Sequence, residues 1–487
     1  MVWVWVVLAL FAWMVLLVRL QQSGTLDRWN ATRMLGIILM IRSKRGLPTL
    51  ERVSKPRRFW RYWGEFTLWT CRIAMVVMVG LLLLTLFSSF IRPTSAEPPS
   101  PRTLVAVPGL NPMIPLGWGL AAFIVALVMH EFAHGLQARA HGMRVRSFGL
   151  LLLGPLPLGA FAEPEQEELQ KAPRHERQRL FAAGPGMNLQ IAVLCMLLIG
   201  PIVGAMMPIQ EGVHARGMVV EGPAEEAGIS PFEIMTHVDD TKINGPNELR
   251  QLMDEEYAAN DTAAITVYNV TTASSREVIV TFADRMEYYL AECSEDPACD
   301  HVAIEKNLEE MGVKSGQAFI GISGMAASDD GVARLSLPLF EGGSATERIV
   351  FTLIHPLELL IIPSPWMNNG RAVHPDQASM VIADTSLLGS ILGTAGLMFV
   401  LNGLFWMVWT NLILGLFNLI PLVPFDGGHM FRDRLHDWME HGRRLGQRVN
   451  AWNWHPIRSE ELARGGVRVM GYLMAAALLI PLIMLYA

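Results

Sequence analysis

Residues 116–140 read LGWGLAAFIVALVMHEFAHGLQARA, an apolar run of bilayer-spanning length that carries His130, Glu131 and His134. On a helix, residues four apart share a face, so His130 and His134 point the same way. Two imidazoles so placed can hold one zinc ion, and Glu131 beside them can take a proton from an attacking water. The His-Glu-x-x-His pattern alone is short and also occurs in soluble helices, where the same residues simply pack in a core. Here its flanks have the composition of a membrane span, and ionisable groups inside a span are costly enough to mark function.

The whole chain fits that setting. It has 487 residues, 51% hydrophobic and 17% charged, with mean hydropathy +0.32. Such a composition implies several spans plus a water-soluble portion. The net charge of −6 conceals an asymmetry. Residues 208–385 hold 10 Lys or Arg against 29 Asp or Glu, a balance of −19, so the remainder is +13. An acidic block within a basic membrane protein suggests two compartments. There is no basic stripe with interleaved aromatics, so a nucleic-acid partner is not expected.

Val2–Val18 is an apolar run without a cleavage site and reads as a signal anchor. Residues 20–65 carry 10 Lys or Arg against three acids, which by the positive-inside rule makes this loop cytoplasmic and the N-terminus external. Within it, Met34–Ile41 is apolar but too short to span, and an interfacial turn of helix is the expectation. A second span is expected at about Ile73–Phe90, followed by a Pro-rich outer loop. The third is the run at 116–140, which ends at Arg139, Arg144 and Arg146. At ~1.5 Å per residue His130 lies ~21 Å below Leu116, two-thirds of the way through a ~30 Å hydrocarbon core.

The Gly and Pro spacing in Gly149–Ala162 predicts strand-like or re-entrant backbone. A fourth span, about Leu180–Met207, opens with Gly184-Pro185-Gly186-Met187-Asn188. Residues 208–330 read as a soluble α+β domain, with strands at Ala263–Tyr268 and Glu277–Phe282 and a helix at Glu248–Met253. Cys293 and Cys299 lie in an acidic insertion there, spaced to close a small disulfide loop if the domain is external. Cys71 and Cys195 lie in or beside spans and read as packing residues. Residues 331–396 form an external or interfacial linker in which Phe351–Ile362 is too short to span.

A fifth span at Leu397–Ile420 closes on Asn418-Leu419-Ile420-Pro421-Leu422-Val423-Pro424-Phe425-Asp426-Gly427-Gly428. The prolines end regular helix and the glycines permit close backbone approach. Residues 432–468 hold eight arginines and fit the cytoplasm; Tyr472–Tyr486 is a sixth span. A catalytic zinc takes three protein ligands. Asp426 falls at the depth of His130 and His134 and is the favoured third ligand, with His429 its rival. Asp-Gly is also an ordinary turn pair.

These motifs, in this order, resemble the site-2 protease family of intramembrane zinc metalloproteases over about Leu116–Met430. The resemblance implies one zinc per chain on His130, His134 and Asp426, with Glu131 as general base. It also implies that Asn188 and Asn418 line the active site, holding the substrate strand or the oxyanion. Many members insert a PDZ domain between core spans, and Gly217–Val220, Pro223–Ile229 and Ile243-Asn244-Gly245 look like one. Phe232-Glu233 departs from the usual Gly-Asp there. The expectation is therefore an α-helical polytopic membrane protein of about six spans with an inserted PDZ-like extracytoplasmic domain. It divides into 1–115 with two N-terminal spans, 116–207 with the catalytic core, 208–330, 331–396, 397–430 with the third ligand, and 431–487. Both termini lie outside, and the active site lies toward the cytoplasm. Expected partners are the bilayer, single-span membrane protein substrates and an upstream protease that trims them. The alternatives are a non-cleaving PDZ-bearing scaffold, disfavoured by an intact Glu131, and a metal transporter, disfavoured by the lack of repeated spans.

Overall fold

The computed structural model describes residues 2–91, 100–104, 107–154, 156–294, 301–339, 344–364, 367–452 and 454–486. The chain divides into two compact units, one of residues 1–195 with 406–487 and the other of residues 196–405.

In the first unit, α1 (Val2–Gln22) leads to a short hairpin, β1 (Ala31–Met34) and β2 (Ile38–Ser43), and then α2 (Leu47–Val53). The long α3 (Arg57–Ile91) follows, then α4 (Leu116–Ala140), the strands β3 (Val145–Leu153) and β4 (Leu156–Pro164), and α5 (Arg174–Val203). After the second unit come the end of α6 (Leu387–Asn418), α7 (Asp426–Arg448) and α8 (Pro456–Tyr486). Five of these helices, α3, α4, α5, α6 and α8, are long and apolar enough to cross a membrane. Gly393, at φ 61°, breaks α6 near its start, so the regular apolar helix begins close to the expected Leu397.

The expectation of a helical turn at Met34–Ile41 is overturned: these residues form a hairpin. Leu35 and Gly36 adopt positive φ and reverse the chain, and the β-branched Ile38 and Ile41 suit a pleated surface better than a lone helical turn. The hairpin also has a partner remote in sequence. β2 pairs antiparallel with β3, Ile41 opposite Leu150 and Ser43 opposite Phe148. β3 in turn pairs with β4, Phe148 opposite Ala162 and Leu150 opposite Ala160. The result is one four-stranded sheet in the order β1-β2-β3-β4, so the Gly- and Pro-rich segment is two strands joined at a turn that includes Gly154, at φ 64°.

Glycines set the closest contacts around this sheet. A Cβ on Gly135 of α4 would come within 3.2 Å of both Leu50 and Phe148, and one on Gly149 would strike the Phe161 ring. The lower part of α4 is clamped from the N-terminal side as well. Arg139 pairs with Glu51 at 2.6 Å, and Arg61 donates to the Ala140 carbonyl at 3.0 Å. Below, Leu68, Cys71, Ala182, Leu419 and Met430 form one buried cluster joining α3, α5 and α7. Met78, Leu82, Ile420, Met474 and Ala477 form another that brings in α8.

In the second unit, strands Ser274–Thr281, Thr262–Asn269, Ile234–Val238, Val213–His214 and Ala326–Ala327 follow one another across a sheet. Helix Pro246–Glu256 buries Leu249, Leu252 and Met253 in the core of the same unit. Residues beyond 330 belong to this unit too: Arg216 donates to Asn368 and Gln377, both at 2.9 Å. His214 is buried behind them and pushed down to about 4, chiefly by burial and then by the Arg216 and Arg334 charges. Phe351–Ile361 falls in a 17-residue helix, Ala345–Ile361, opened by a Ser344–Glu347 capping box and followed by Ile362 as its C-cap. Cys71 and Cys195 are free and buried. Cys293 is buried in this unit, whereas Cys299 lies outside the described residues.

Candidate metal centre

α4 presents His130 and His134 on one face, one turn apart, with ring centroids 4.8 Å apart. The third member comes from the far end of the unit. The chain leaves α6 at Asn418, passes through the Pro421 and Pro424 loop, and re-enters helix at Asp426, the first residue of α7. A carboxylate in a first helical turn is favoured by the helix dipole. Gly427 and Gly428 allow the turn: Cβ atoms there would lie 2.3 Å from the Leu419 carbonyl oxygen and 2.6 Å from the Val423 nitrogen. Asp433, one side of the helix further on, is buried and held by Arg177 of α5 at 2.7 and 2.9 Å. That bidentate pair fixes α7 against the bundle.

Asp426 Oδ2 lies 3.2 Å from His130 Nε2 and 3.3 Å from His134 Nε2, and the two imidazole nitrogens are 3.2 Å apart. Donors ~2.0–2.1 Å from a tetrahedral zinc stand ~3.3 Å from one another. The triangle therefore has the edges that one zinc requires, with one face left for a fourth ligand. The tautomers agree. His134 Nδ1 donates to the Leu180 carbonyl at 2.8 Å, which leaves Nε2 as a lone-pair donor. His130 Nδ1 faces the Asn188 amide at 3.2 Å, while Asn188 Oδ1 is buried without a partner. Turning that amide over lets Oδ1 accept from Nδ1–H, which satisfies both groups and frees Nε2. The donor set thus fits the ion.

Gly184 keeps the space beside the imidazoles open. A Cβ at this position would lie 2.4 Å from His134 Nε2 and 2.5 Å from His130 Nε2. Gly184→Ala is accordingly expected to weaken zinc binding by roughly 10- to 100-fold, the range seen when ligand positioning is disturbed. Bound zinc per chain after dialysis against a graded chelator measures this, and unaltered retention would show that the glycine serves packing alone.

Glu131 lines the same cleft, of about 320 Å³, together with Ala162, Leu180, Phe181, Asn418 and Asp426. Its Oε2 accepts the Ala162 N–H of β4 at 2.7 Å. The expected site residues thus separate into distinct positions. His130, His134 and Asp426 converge, with Glu131 beside them. Asn418 lies in the cleft wall, one amide N–H given to its own helix at Leu414. Asn188 is fully buried behind His130 and is not among the cleft-lining residues. His429 stacks on Phe181 at 4.8 Å and stands apart from the metal-ligating group. The Ala162 amide, the Leu180 carbonyl and Gly184 are the residues sequence reasoning missed. Of these only Gly184 carries a signal, as a glycine beside a proline inside a span.

Residues 118–454 match the model of peptidase family M50. The chain is 24% identical over 366 residues to zinc metalloprotease Rip1 of Mycobacterium tuberculosis, covering 63% of this chain and 82% of that one. It is 24% identical over 427 residues to the regulator of sigma-E protease RseP of Escherichia coli, covering 65% and 90%. An uncharacterized protein of Methanocaldococcus jannaschii is 34% identical over 164 residues, and the match spans 43% of its length. With a helix-borne histidine pair, a remote aspartate and a family match over most of its length, the chain belongs to peptidase family M50, the site-2 protease family. It is a zinc metalloprotease of membranes.

Proposed function

We propose that the chain hydrolyses peptide bonds within membrane-spanning segments of single-span proteins, with His130, His134 and Asp426 holding one zinc and Glu131 as general base. The equilateral donor triangle with Glu131 at its side is the observation that supports this most directly. Bound zinc supplies Lewis acidity, activating water and polarising a carbonyl. Glu131 takes the proton of the attacking water and delivers it to the leaving amine. Asn188 orients His130, and the second amide N–H of Asn418 is available to a substrate carbonyl. Metal analysis together with cleavage of a single-span reporter in detergent tests this reading. A metal-free protein or an intact reporter would leave the scaffold and transporter alternatives standing.

β4 supplies the rest. The Ala162 N–H points away from β3, toward Glu131, and by the alternation of an antiparallel ladder Ala160 turns its N–H and C=O to the same outer side. A substrate helix must unwind before attack because its carbonyls are hydrogen-bonded. The freed segment can then add to the β4 edge as a further strand, beside the base. Proline in place of Ala162 removes only the amide that Glu131 uses, since an outward edge position tolerates it. Ala162→Pro is expected to lower turnover roughly 10- to 100-fold, the worth of a hydrogen bond to a charged group, with zinc retained. Unchanged turnover would mean that this contact does not position the base.

Orientation follows the charge pattern. Residues 20–65, 139–179 and 432–468 are basic and belong in the cytoplasm, which puts the acidic 208–385 outside together with both termini. We assign 208–330 as PDZ-like on its motifs, with Cys293 and Cys299 as a disulfide, and read it as a barrier to substrates not yet trimmed by an upstream protease.

A further inference from the structure

In the first unit, α3, α7 and α8 leave an apolar groove of about 410 Å³, whose lining is distinct from that of the cleft. Met75, Val76 and Val79 of α3 face Met430 and Phe431 of α7 and Met470 of α8 across it. One end carries two arginines, each lying over a tryptophan: Arg72 over Trp69 at 5.1 Å and Arg434 over Trp438 at 5.4 Å. Both indoles are more than half exposed.

Among the described residues neither arginine forms an ion pair. Arg72 gives one hydrogen bond, to Gln178 Oε1 at 2.7 Å, and its Nε is buried without a partner. Among the described residues Arg434 forms no hydrogen bond or ion pair; its like charge acts on Arg72, as do the opposite charges of Glu65 and Asp437. The neighbouring acids are already engaged. Asp437 accepts from Gln178 and pairs with Arg174, and Glu65 is held by Arg179 and His175. Two half-buried guanidiniums without a direct carboxylate partner are costly and can take an anion.

Position names the anion. Arg72 stands immediately before the apolar run that starts at Ile73, and the turns of α3 preceding it carry Arg57, Arg58, Trp60, Arg61 and Trp63. Tryptophans and arginines at that point mark the headgroup level. The groove below continues into the hydrocarbon, where Val76 is 73% exposed. We infer that this is a binding site for an anionic phospholipid, its phosphodiester between Arg72 and Arg434 and one acyl chain along Val76, Val79 and Met470. A basic pocket between spans on the cytoplasmic side is the usual form of such sites. The inference stands on the membrane placement of α3 and not on the catalytic reading.

Native mass spectrometry of the full-length protein in detergent tests it, with phosphatidylglycerol and phosphatidylcholine of identical chains as probes. Phosphatidylglycerol should be retained roughly 10- to 30-fold better, and R72Q/R434Q should bring the two lipids to parity. Val76→Trp, at an exposed position, fills the groove with both charges intact. It should likewise cut phosphatidylglycerol retention, and it decides the matter if the double variant no longer melts cooperatively. Equal retention of the two lipids by the wild type, or unaltered preference in the variants, overturns the site. Competition by inorganic phosphate as effective as by the lipid would show a free-anion site and overturn the lipid assignment.

Discussion

Glu131→Gln is expected to lower cleavage of a single-span reporter by roughly 10²- to 10⁴-fold, the usual worth of a positioned general base, while bound zinc stays at the wild-type level. The substitution is nearly isosteric, and its amide oxygen can still accept the Ala162 N–H that Glu131 holds at 2.7 Å. Fold, cleft and all three proposed ligands survive; only the basic oxygen is lost. Turnover and zinc content, measured on the same preparation, separate chemistry from metal binding. Wild-type turnover in this variant would end the role proposed for Glu131. Joint loss of zinc and turnover would instead make it a structural support of the ligands.

Asp426→Ala should have an effect of comparable size through a different cause. It leaves two imidazoles facing an empty corner, and a two-nitrogen site lacks both the third donor and the negative charge that a divalent ion seeks. Zinc affinity should fall by more than about 100-fold, beyond what loss of an outer partner costs, and cleavage should fall with it. His429 is poorly placed to substitute, since its ring is committed to Phe181. Chelator titration decides. Stoichiometric zinc in Asp426→Ala, lost again in His429→Ala, would transfer the third-ligand role to His429.

Much of this cluster is legible in the sequence, because its signals are local or tied to depth. His130 and His134 are four apart on a span, and Asp426 sits between broken helix and two glycines at the level expected of a third ligand. What escaped was non-local. The hairpin at Ala31–Ser43 has few residues of its own to announce it, and its partner β3 begins about a hundred residues later, so a short apolar segment beside a span reads as an interfacial helical turn instead. Asn188 was identified as a residue of the site, but which way its amide faced depended on the packing of α5 against α4. Backbone donors such as the Ala162 N–H leave no trace in side-chain identity at all. The arginines at 72 and 434 are unremarkable individually in a chain rich in interfacial basic residues; only the bundle brings them to one groove.

The four-stranded sheet also bears on what counts as the minimal enzyme. The family match begins at residue 118, yet half of the sheet that carries β4 comes from residues 31–43. A two-stranded ribbon by itself is marginally stable, and one that must hold the base's backbone partner in register can ill tolerate fraying. A fragment cut to the shared core would keep every proposed ligand and the base but lose the strands behind β3, together with Glu51 and Arg61, which tie down the lower end of α4. On the proposed roles of Glu131 and β4, the N-terminal segment is scaffolding for the reaction rather than an appendage to it. Boundaries for a catalytic fragment belong before Ala31.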